Sequence, residues 1–159
     1  MKELSHLDAD GAARMVDVSG KPQTQRTATA AGELRTTAEV LDLLRRDGLP
    51  KGDALAVARI AGIMAAKRTP ELIPLCHGIA LSSVDIAFEL AADSVRVTAV
   101  ARSVDRTGVE MEALTAVAVA GLALHDMIKA VDPAAVMDGV RLERKEGGKS
   151  GLWTRPEGR

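Results

Sequence analysis

The residues best suited to acid–base chemistry lie in two short segments, residues 51–53 (KGD) and residues 125–129 (HDMIK). Asp126 and Lys129 are three residues apart, so on a helix they share one face. They follow twelve uncharged residues, which predicts that they end a buried helix. The pair is either an exposed ion pair of small energetic value or an acid and a base in a cleft. Lys51 is either a solvated loop lysine or a further functional group.

Two other segments place polar groups beside apolar ones, residues 72–77 (LIPLCH) and residues 108–114 (GVEMEAL). Pro74 prevents the first from forming a central strand, so an extended segment delivers Cys76 and His77 to a cleft or an interface. A structural histidine is the alternative. In the second segment the helix dipole alone explains acidic residues in a first turn. The same free amides also bind polar ligands, so Glu112 is a candidate contact for a substrate.

A glycine-rich segment, residues 147–151 (GGKSG), imitates a phosphate-binding P-loop. The P-loop pattern requires an earlier glycine, where this chain has Glu143, and a following helix, for which too few residues remain. We therefore reject that motif. A weaker expectation is that the glycines, beside Lys145 and Lys149, form a nest of backbone amides that holds an anion.

These groups must be positioned by strands and helices that the apolar periodicity predicts. Possible capping boxes, residues 36–39 and 107–110, mark two helix starts, and a glycine after Asp47 marks a helix end. The order predicts an α+β fold in which an antiparallel sheet is backed by helices, in one domain with residues 1–20 as a loosely held arm. The predicted strands cover residues 23–35, 81–90, 95–104 and 139–145, and the predicted helices cover residues 37–46, 53–67 and 108–131.

Composition excludes several classes of protein. The 159 residues carry a net charge of -1, which argues against binding nucleic acid through its phosphates. Phe88 and Trp153 are the only aromatic residues, too few for base stacking. One cysteine and three scattered histidines provide no disulfide and no metal-ligand motif. The chain shows neither a signal-peptide core nor an apolar run of membrane-spanning length, so we expect a cytoplasmic protein.

Several longer strings resemble one family, the cyclic pyranopterin monophosphate synthases, also called molybdenum cofactor biosynthesis protein C. The resemblance begins near residues 15–18 (MVDV), covers nearly the whole chain and keeps the order and spacing of each string. The other strings that carry it are residues 58–63 (ARIAGI), 65–69 (AAKRT), 72–77 (LIPLCH), 107–117 (TGVEMEALTAV), 126–127 (DM), 129–132 (KAVD) and 147–151 (GGKSG).

The resemblance implies an enzyme that converts a cyclised dihydro-GTP into cyclic pyranopterin monophosphate and releases pyrophosphate. It implies a ferredoxin-like fold, a homohexamer built as a trimer of dimers, and no metal or organic cofactor. Asp126, Lys51 and Lys129 correspond to the family's catalytic residues. The positions that correspond to substrate-binding residues or to the basic terminal segment are Leu75, Cys76, His77, Met111, Glu112, Lys145 and Lys149.

Three positions depart from the family pattern. Gly78 stands where the family typically has proline, His125 where it typically has tyrosine, and Ile128 where it often has cysteine. Gly78 loosens the turn behind His77 and so affects the aim of that side chain. The other two lie beside Asp126 without replacing a residue that has an implied role.

The implied substrate is strongly anionic, so a nearly neutral protein needs a local group of cations, which Lys51, Lys129, Lys145 and Lys149 can supply. Because Asp126 lies one turn from Lys129, we expect Lys129 to act as an acid or a phosphate clamp. Lys51 has no carboxylate beside it except Asp53 and is the better candidate for removing a proton.

Spacing along the last helix adds a prediction about assembly. Glu112 and Asp126 are fourteen residues apart, about 21 Å along a helix. Both can reach one substrate only if two copies of the chain share the site. Two other hypotheses stay open at this point: a non-catalytic nucleotide-binding regulatory domain, and a lyase that forms a Schiff base through one desolvated lysine.

Overall fold

The structure is a computed structural model that describes residues 7–8 and 10–158 of the chain. Residues 10–23 contain no helix and no strand longer than an isolated bridge, in which Ala13 pairs with Leu7. In chain order the elements are β1 (Thr24–Arg35), α1 (Ala38–Arg45), α2 (Ala54–Lys67), α3 (Thr69–Leu72), β2 (Leu81–Leu90), β3 (Ser94–Asp105), α4 (Glu110–Ile128), β4 (Val136–Glu146) and β5 (Trp153–Thr154).

The five strands form one antiparallel sheet in the order β2-β3-β1-β4-β5. Without the two-residue β5 and the two short helices α1 and α3, the remaining elements follow the βαββαβ connectivity of the ferredoxin-like fold. The predicted α+β class and antiparallel sheet are confirmed. The elements α3 and β5 are absent from the sequence prediction because four and two residues are too few to show a period.

The helices cover one face of the sheet. Alternate residues of β3, from Val95 to Ser103, are buried, whereas Arg102 and Val104 between and beyond them are exposed. α4 packs against α2 and the sheet, and Gly62 lets the two helices approach, because a Cβ there would lie 2.8 Å from the carbonyl oxygen of Ala116. By length and composition α4 could cross a membrane, but 56% of that stretch is buried in this core, as predicted for residues 113–124.

The first helix begins and ends one residue away from the predicted caps. Thr37, not Thr36, caps α1 by accepting a hydrogen bond from the amide of Val40. The hydroxyl of Thr36 instead donates to Asp132 on a distant loop. At the other end Asp47 takes the left-handed conformation (φ 49°) that we expected of the glycine after it. At the amino end, the tertiary hydrogen bond of Thr36 thus overrode the local pattern.

The predicted capping box before α4 is wrong. Val109 occupies the N-cap position, and no side chain caps the helix there. α4 ends at Ile128, three residues earlier than predicted, and Lys129 is its C-cap. The free amino end of α4 therefore faces the loop that leads into it, where two cavities lie.

Candidate active site

Three of the predicted site residues meet at the carboxyl end of α4. The ammonium Nζ of Lys129 lies 2.6 Å from Oδ1 of Asp126. Nζ of Lys51 lies 3.1 Å from Oδ2 of the same carboxylate and donates to the backbone carbonyl of Asp126 at 2.8 Å. We call these three residues the carboxylate cluster. All three side chains are about half exposed.

Local sequence explains how Lys51 reaches α4. Pro50 favours the first central position of a turn, and the amide of Gly52 closes that turn on the carbonyl of Leu49 at 3.1 Å. Gly52 has a φ of 88°, which a side chain would oppose. Asp53 then caps α2 by accepting from the amide of Ala56. Lys51 is thus held between a turn and a helix cap.

The two ammonium groups, Lys129 first and Lys51 second, hold the pKa of Asp126 below its ordinary value. The carboxylate is therefore ionised at neutral pH. The expected difference between the two lysines is not found: Lys51 contacts Asp126 as Lys129 does, so neither is free of a carboxylate. Lys51 is therefore no better placed than Lys129 to accept a proton.

A second group of predicted residues lines a cavity of about 430 Å³ at the opposite end of α4. Ligand cavities usually fall in this size range. We call it the thiol cavity because Cys76 is in its wall. Its lining combines the loop before β2, the first turn of α4 and part of the N-terminal segment, and includes Val16, Val18, Leu75, Cys76, His77, Met111 and Glu112.

Glu112 is a buried acid in this cavity. It is 2% exposed, and its Oε2 has no hydrogen-bond partner among the described residues. Burial raises the pKa of Glu112 to about 7, with smaller contributions from the charges of Glu110 and Asp105 and an opposing one from its own backbone amide. Near neutral pH its carboxyl group can therefore either donate or accept a hydrogen bond.

Cys76 belongs to the same cavity. Burial raises the pKa of its thiol, and the charges of Glu112 and Glu110 raise it further. Because a thiol is a far weaker nucleophile than a thiolate, this environment favours contact with a ligand over covalent attack.

A larger cavity, about 650 Å³, lies beside the thiol cavity and is lined by cations. We call it the cationic cavity. Among its acidic residues, Glu110 is neutralised by Lys145, whose Nζ lies 2.7 Å from Oε1. Such a surplus of positive charge in a concave site attracts anions. The basic residues of its lining are Lys21, Arg26, Arg106, Lys145 and Lys149.

The glycine-rich turn forms one wall of the cationic cavity. Gly147 and Gly148 have φ values of 102° and 66°. A Cβ at Gly147 would overlap the carbonyl oxygen of Gln25, and one at Gly148 would overlap the guanidinium of Arg26. The segment after the turn forms β5, not a helix, which agrees with our rejection of a P-loop. The predicted anion nest stays a prediction.

Within one chain the predicted site residues therefore form separate groups. The carboxylate cluster holds Lys51 and Lys129, whereas Lys145 and Lys149 line the cationic cavity. Because α4 is one helix of 19 residues, the calculated separation of about 21 Å between Glu112 and Asp126 applies.

Sequence reasoning missed three basic residues of the cationic cavity: Lys21, Arg26 and Arg106. Arg26 donates from Nε to the carbonyl of Asp105 and from Nη2 to that of Arg106, both at 3.3 Å. The start of β1 pairs with the end of β3 on one side and the end of β4 on the other. No local sequence pattern predicts that these three basic residues come together. The only available signal is that they lie near the loops at Gly20 and Thr107 in the sequence.

The described residues contain no group of three or more histidine, cysteine, aspartate or glutamate side chains that could hold a metal ion. His6, one of the three histidines, lies outside the described part of the chain.

Comparison with known proteins points in one direction. Residues 15–148 match the sequence model of the MoaC family. The chain is 63% identical over 153 residues to the Mycobacterium tuberculosis (strain H37Rv) protein named cyclic pyranopterin monophosphate synthase 2, covering 96% of this chain and 92% of that one. It is 62% identical to the cyclic pyranopterin monophosphate synthase of Streptomyces coelicolor (96% and 89% covered) and 58% identical to that of Corynebacterium efficiens (97% and 99% covered).

Proposed function

The chain belongs to the MoaC family, and from this premise we propose that it is a cyclic pyranopterin monophosphate synthase, a lyase of molybdenum cofactor biosynthesis. Its substrate is the cyclised dihydro-GTP intermediate, and its products are cyclic pyranopterin monophosphate and pyrophosphate. The observation that carries the proposal is the identity of 58–63% over nearly the whole length of relatives with that name.

The cationic cavity is suited to the triphosphate of this substrate. Lys21, Arg26, Arg106 and Lys149 supply charge, and the backbone of the glycine-rich turn supplies amide donors. Cations placed around a departing pyrophosphate stabilise the negative charge that develops on it. Lys145 belongs to this group and is also held by Glu110.

The thiol cavity is suited to the uncharged part of the substrate. Leu75 and Met111 offer apolar contact, whereas Cys76, His77 and Glu112 offer hydrogen bonds. The buried carboxyl of Glu112 lacks a partner for Oε2, and a substrate amide or hydroxyl would provide one.

The carboxylate cluster is suited to proton transfer. Asp126, ionised between two ammonium groups, keeps Lys51 and Lys129 close together. A lysine ammonium held in place can donate a proton to an opening ring or clamp a phosphate oxygen. We assign Asp126, Lys51 and Lys129 the catalytic roles on this basis.

Both ends of α4 carry groups that this reaction needs, which favours a site built by two copies of the chain. Glu112 of one copy would then approach Asp126 of another. We propose a homohexamer, a trimer of dimers, formed by a single-domain chain; the arm predicted for residues 1–20 lies in part outside the described residues. We also propose that it works in the cytoplasm, in keeping with its single cysteine.

The test is to supply the purified protein with the cyclised dihydro-GTP intermediate and to measure pyrophosphate and the pterin product. We expect turnover by the native chain and none above background by Asp126→Ala. Binding of the intermediate without product would instead indicate a non-catalytic nucleotide-binding domain and would contradict the proposal.

A further inference from the structure

His77 makes a short contact with the N-terminal segment. Its ring nitrogen Nε2 lies 2.7 Å from the backbone carbonyl oxygen of Val16, sixty-one residues earlier in the chain. A carbonyl oxygen can only accept a hydrogen bond, so Nε2 must carry the proton. In the neutral ring the other nitrogen, Nδ1, is then the one that can accept a hydrogen bond or a proton.

The segment that carries this carbonyl is part of the cavity wall. Val16, Val18 and Lys21 line the thiol cavity together with His77. The buried residues of the two core clusters begin at Ala28, so the segment is not needed to build the core. Its contact with His77 is therefore better explained by the site than by the stability of the fold.

Asp17 supports the same arrangement. Its Oδ1 accepts a hydrogen bond from the amide of Ser19 at 2.8 Å, which shapes the turn just after Val16. The pKa of Asp17 lies below its ordinary value, chiefly because of the bonds from Ser19 and in smaller part because of the charge of His77.

We propose that Val16 is a positioning residue: its carbonyl orients the imidazole of His77 and keeps Nε2 protonated, so that Nδ1 is the nitrogen presented to the substrate. The inference rests on the proposed function, because it takes the thiol cavity as the substrate site. The N-terminal segment would then contribute to the reaction by orienting His77, which no group on α4 does.

The first test observes the proton itself in the full-length protein labelled with 15N-histidine. We expect a His77 Nε2–H signal that exchanges slowly with water, assigned by its loss in His77→Gln. Deleting residues 1–18 should abolish the slow exchange, whereas deleting residues 1–12, which keeps Val16, should preserve it. A His77 proton found on Nδ1, or equal exchange in the two deletions, would overturn the proposal.

The second test asks whether the segment acts through His77. Relative to the 1–12 deletion, the 1–18 deletion should lower kcat about tenfold to a hundredfold, the scale expected when a catalytic group is misplaced. KM should change less, because Lys21 is retained. In a His77→Ala background the same two deletions should differ less than twofold in kcat. Independent, multiplying effects would show that the segment acts elsewhere.

The two proposals fail in different ways. If the full-length protein has no synthase activity, the proposed function is wrong, and the position of the His77 proton then decides the claim about Val16 alone. If activity is present but the proton lies on Nδ1, the proposed function stands and the positioning role is wrong. Thermal unfolding of both deletions shows whether the chain still folds.

Discussion

At the scale of single residues, the surroundings of each carboxyl group decide whether it is charged. Asp126 serves two ammonium groups, whereas Glu112 is buried with one oxygen unpartnered. Opposite environments thus act on two carboxyl groups of one helix: the pKa of Asp126 is lowered and that of Glu112 is raised to about 7. Such divergence is typical of sites that divide acid and base roles between two carboxyl groups.

Asp126→Asn should abolish most activity without destabilising the protein. Asp126 holds the two lysines to which we assign proton transfer, and the loss of a proton-transfer group lowers kcat by about 100-fold or more. Ion pairs that are half exposed to solvent contribute little to stability, so Tm should change little. Asp42→Asn is the matched control, since Asp42 is an exposed helical carboxylate in an ion pair with Arg45. Equal kcat in the two variants would contradict the role of Asp126.

Glu112→Gln should raise stability in alkaline solution while lowering activity. The pKa of Glu112 in the folded chain, about 7, exceeds its ordinary value of 4.5. The folded state therefore binds more protons than the unfolded state between these values, so the free energy of unfolding falls as pH rises from about 4.5 to about 7. A neutral amide removes this loss, and Tm at pH 8 should rise by a few degrees.

The measurement is Tm from pH 4.5 to 8 for the native chain, Glu112→Gln and the exposed control Glu39→Gln. The control should follow the native chain. If Glu112→Gln does so as well, Glu112 titrates as an ordinary surface acid and our account of its burial is wrong.

At the scale of elements, turns decide which side chains meet. The turn closed by Gly52 brings Lys51 to the end of α4, and the turn at Gly147 and Gly148 lies against Arg26. The glycines of these turns have no side chain and take no direct part in acid–base chemistry. Each works because a missing Cβ allows a backbone conformation or a close approach that any other residue would oppose.

Gly148→Ala should weaken substrate binding selectively. The new Cβ would displace the guanidinium of Arg26 in the cationic cavity and would also strain a residue with a φ of 66°. We expect KM for the cyclised intermediate to rise about tenfold or more, as when a hydrogen bond to a charged group is lost. Gly151→Ala is the control, because it strains a residue with a similar φ of 61°, but its new Cβ would meet nothing within 4 Å. Equal KM values would mean that Arg26 does not bind the substrate.

At the scale of the whole molecule, the proposed site needs groups from both ends of α4, which lie too far apart to meet within one copy of the chain. The carboxylate cluster and the thiol cavity both contain residues to which we propose roles in the reaction, and Asp126 and Glu112 lie about 21 Å apart along one helix. Exposed apolar side chains on α2, namely Val57, Ile60 and Met64, are available for contact with another copy.

Mixing Asp126→Ala with Glu112→Ala should restore part of the activity that each lacks. In a shared site, hybrid assemblies contain some sites with both native residues. With random exchange between equal amounts of two chains, about a quarter of the sites pair two native halves. Exchange is confirmed first by native mass spectrometry of differently labelled chains. Complete exchange without recovery would show that each site lies within a single chain.

Much of the fold could be predicted from the sequence because its signals are local. Alternating apolar residues identified β3, and a uniformly apolar run predicted the burial of α4. The spacing of Asp126 and Lys129 predicted their contact, since a helix brings every third residue to one face. The resemblance to the family predicted residues of the carboxylate cluster, the thiol cavity and the cationic cavity, but not where these groups lie.

Only the tertiary structure decided how those groups are divided between the two ends of α4. The meeting of Arg26, Arg106 and the glycine-rich turn depends on β1 lying between β3 and β4, a pairing of strands far apart in the chain. The burial of Glu112 and the contact of His77 with Val16 likewise arise from packing between distant segments. Periodicity reports which face of an element is buried, but not what is packed against it, and charge and protonation depend on that neighbour.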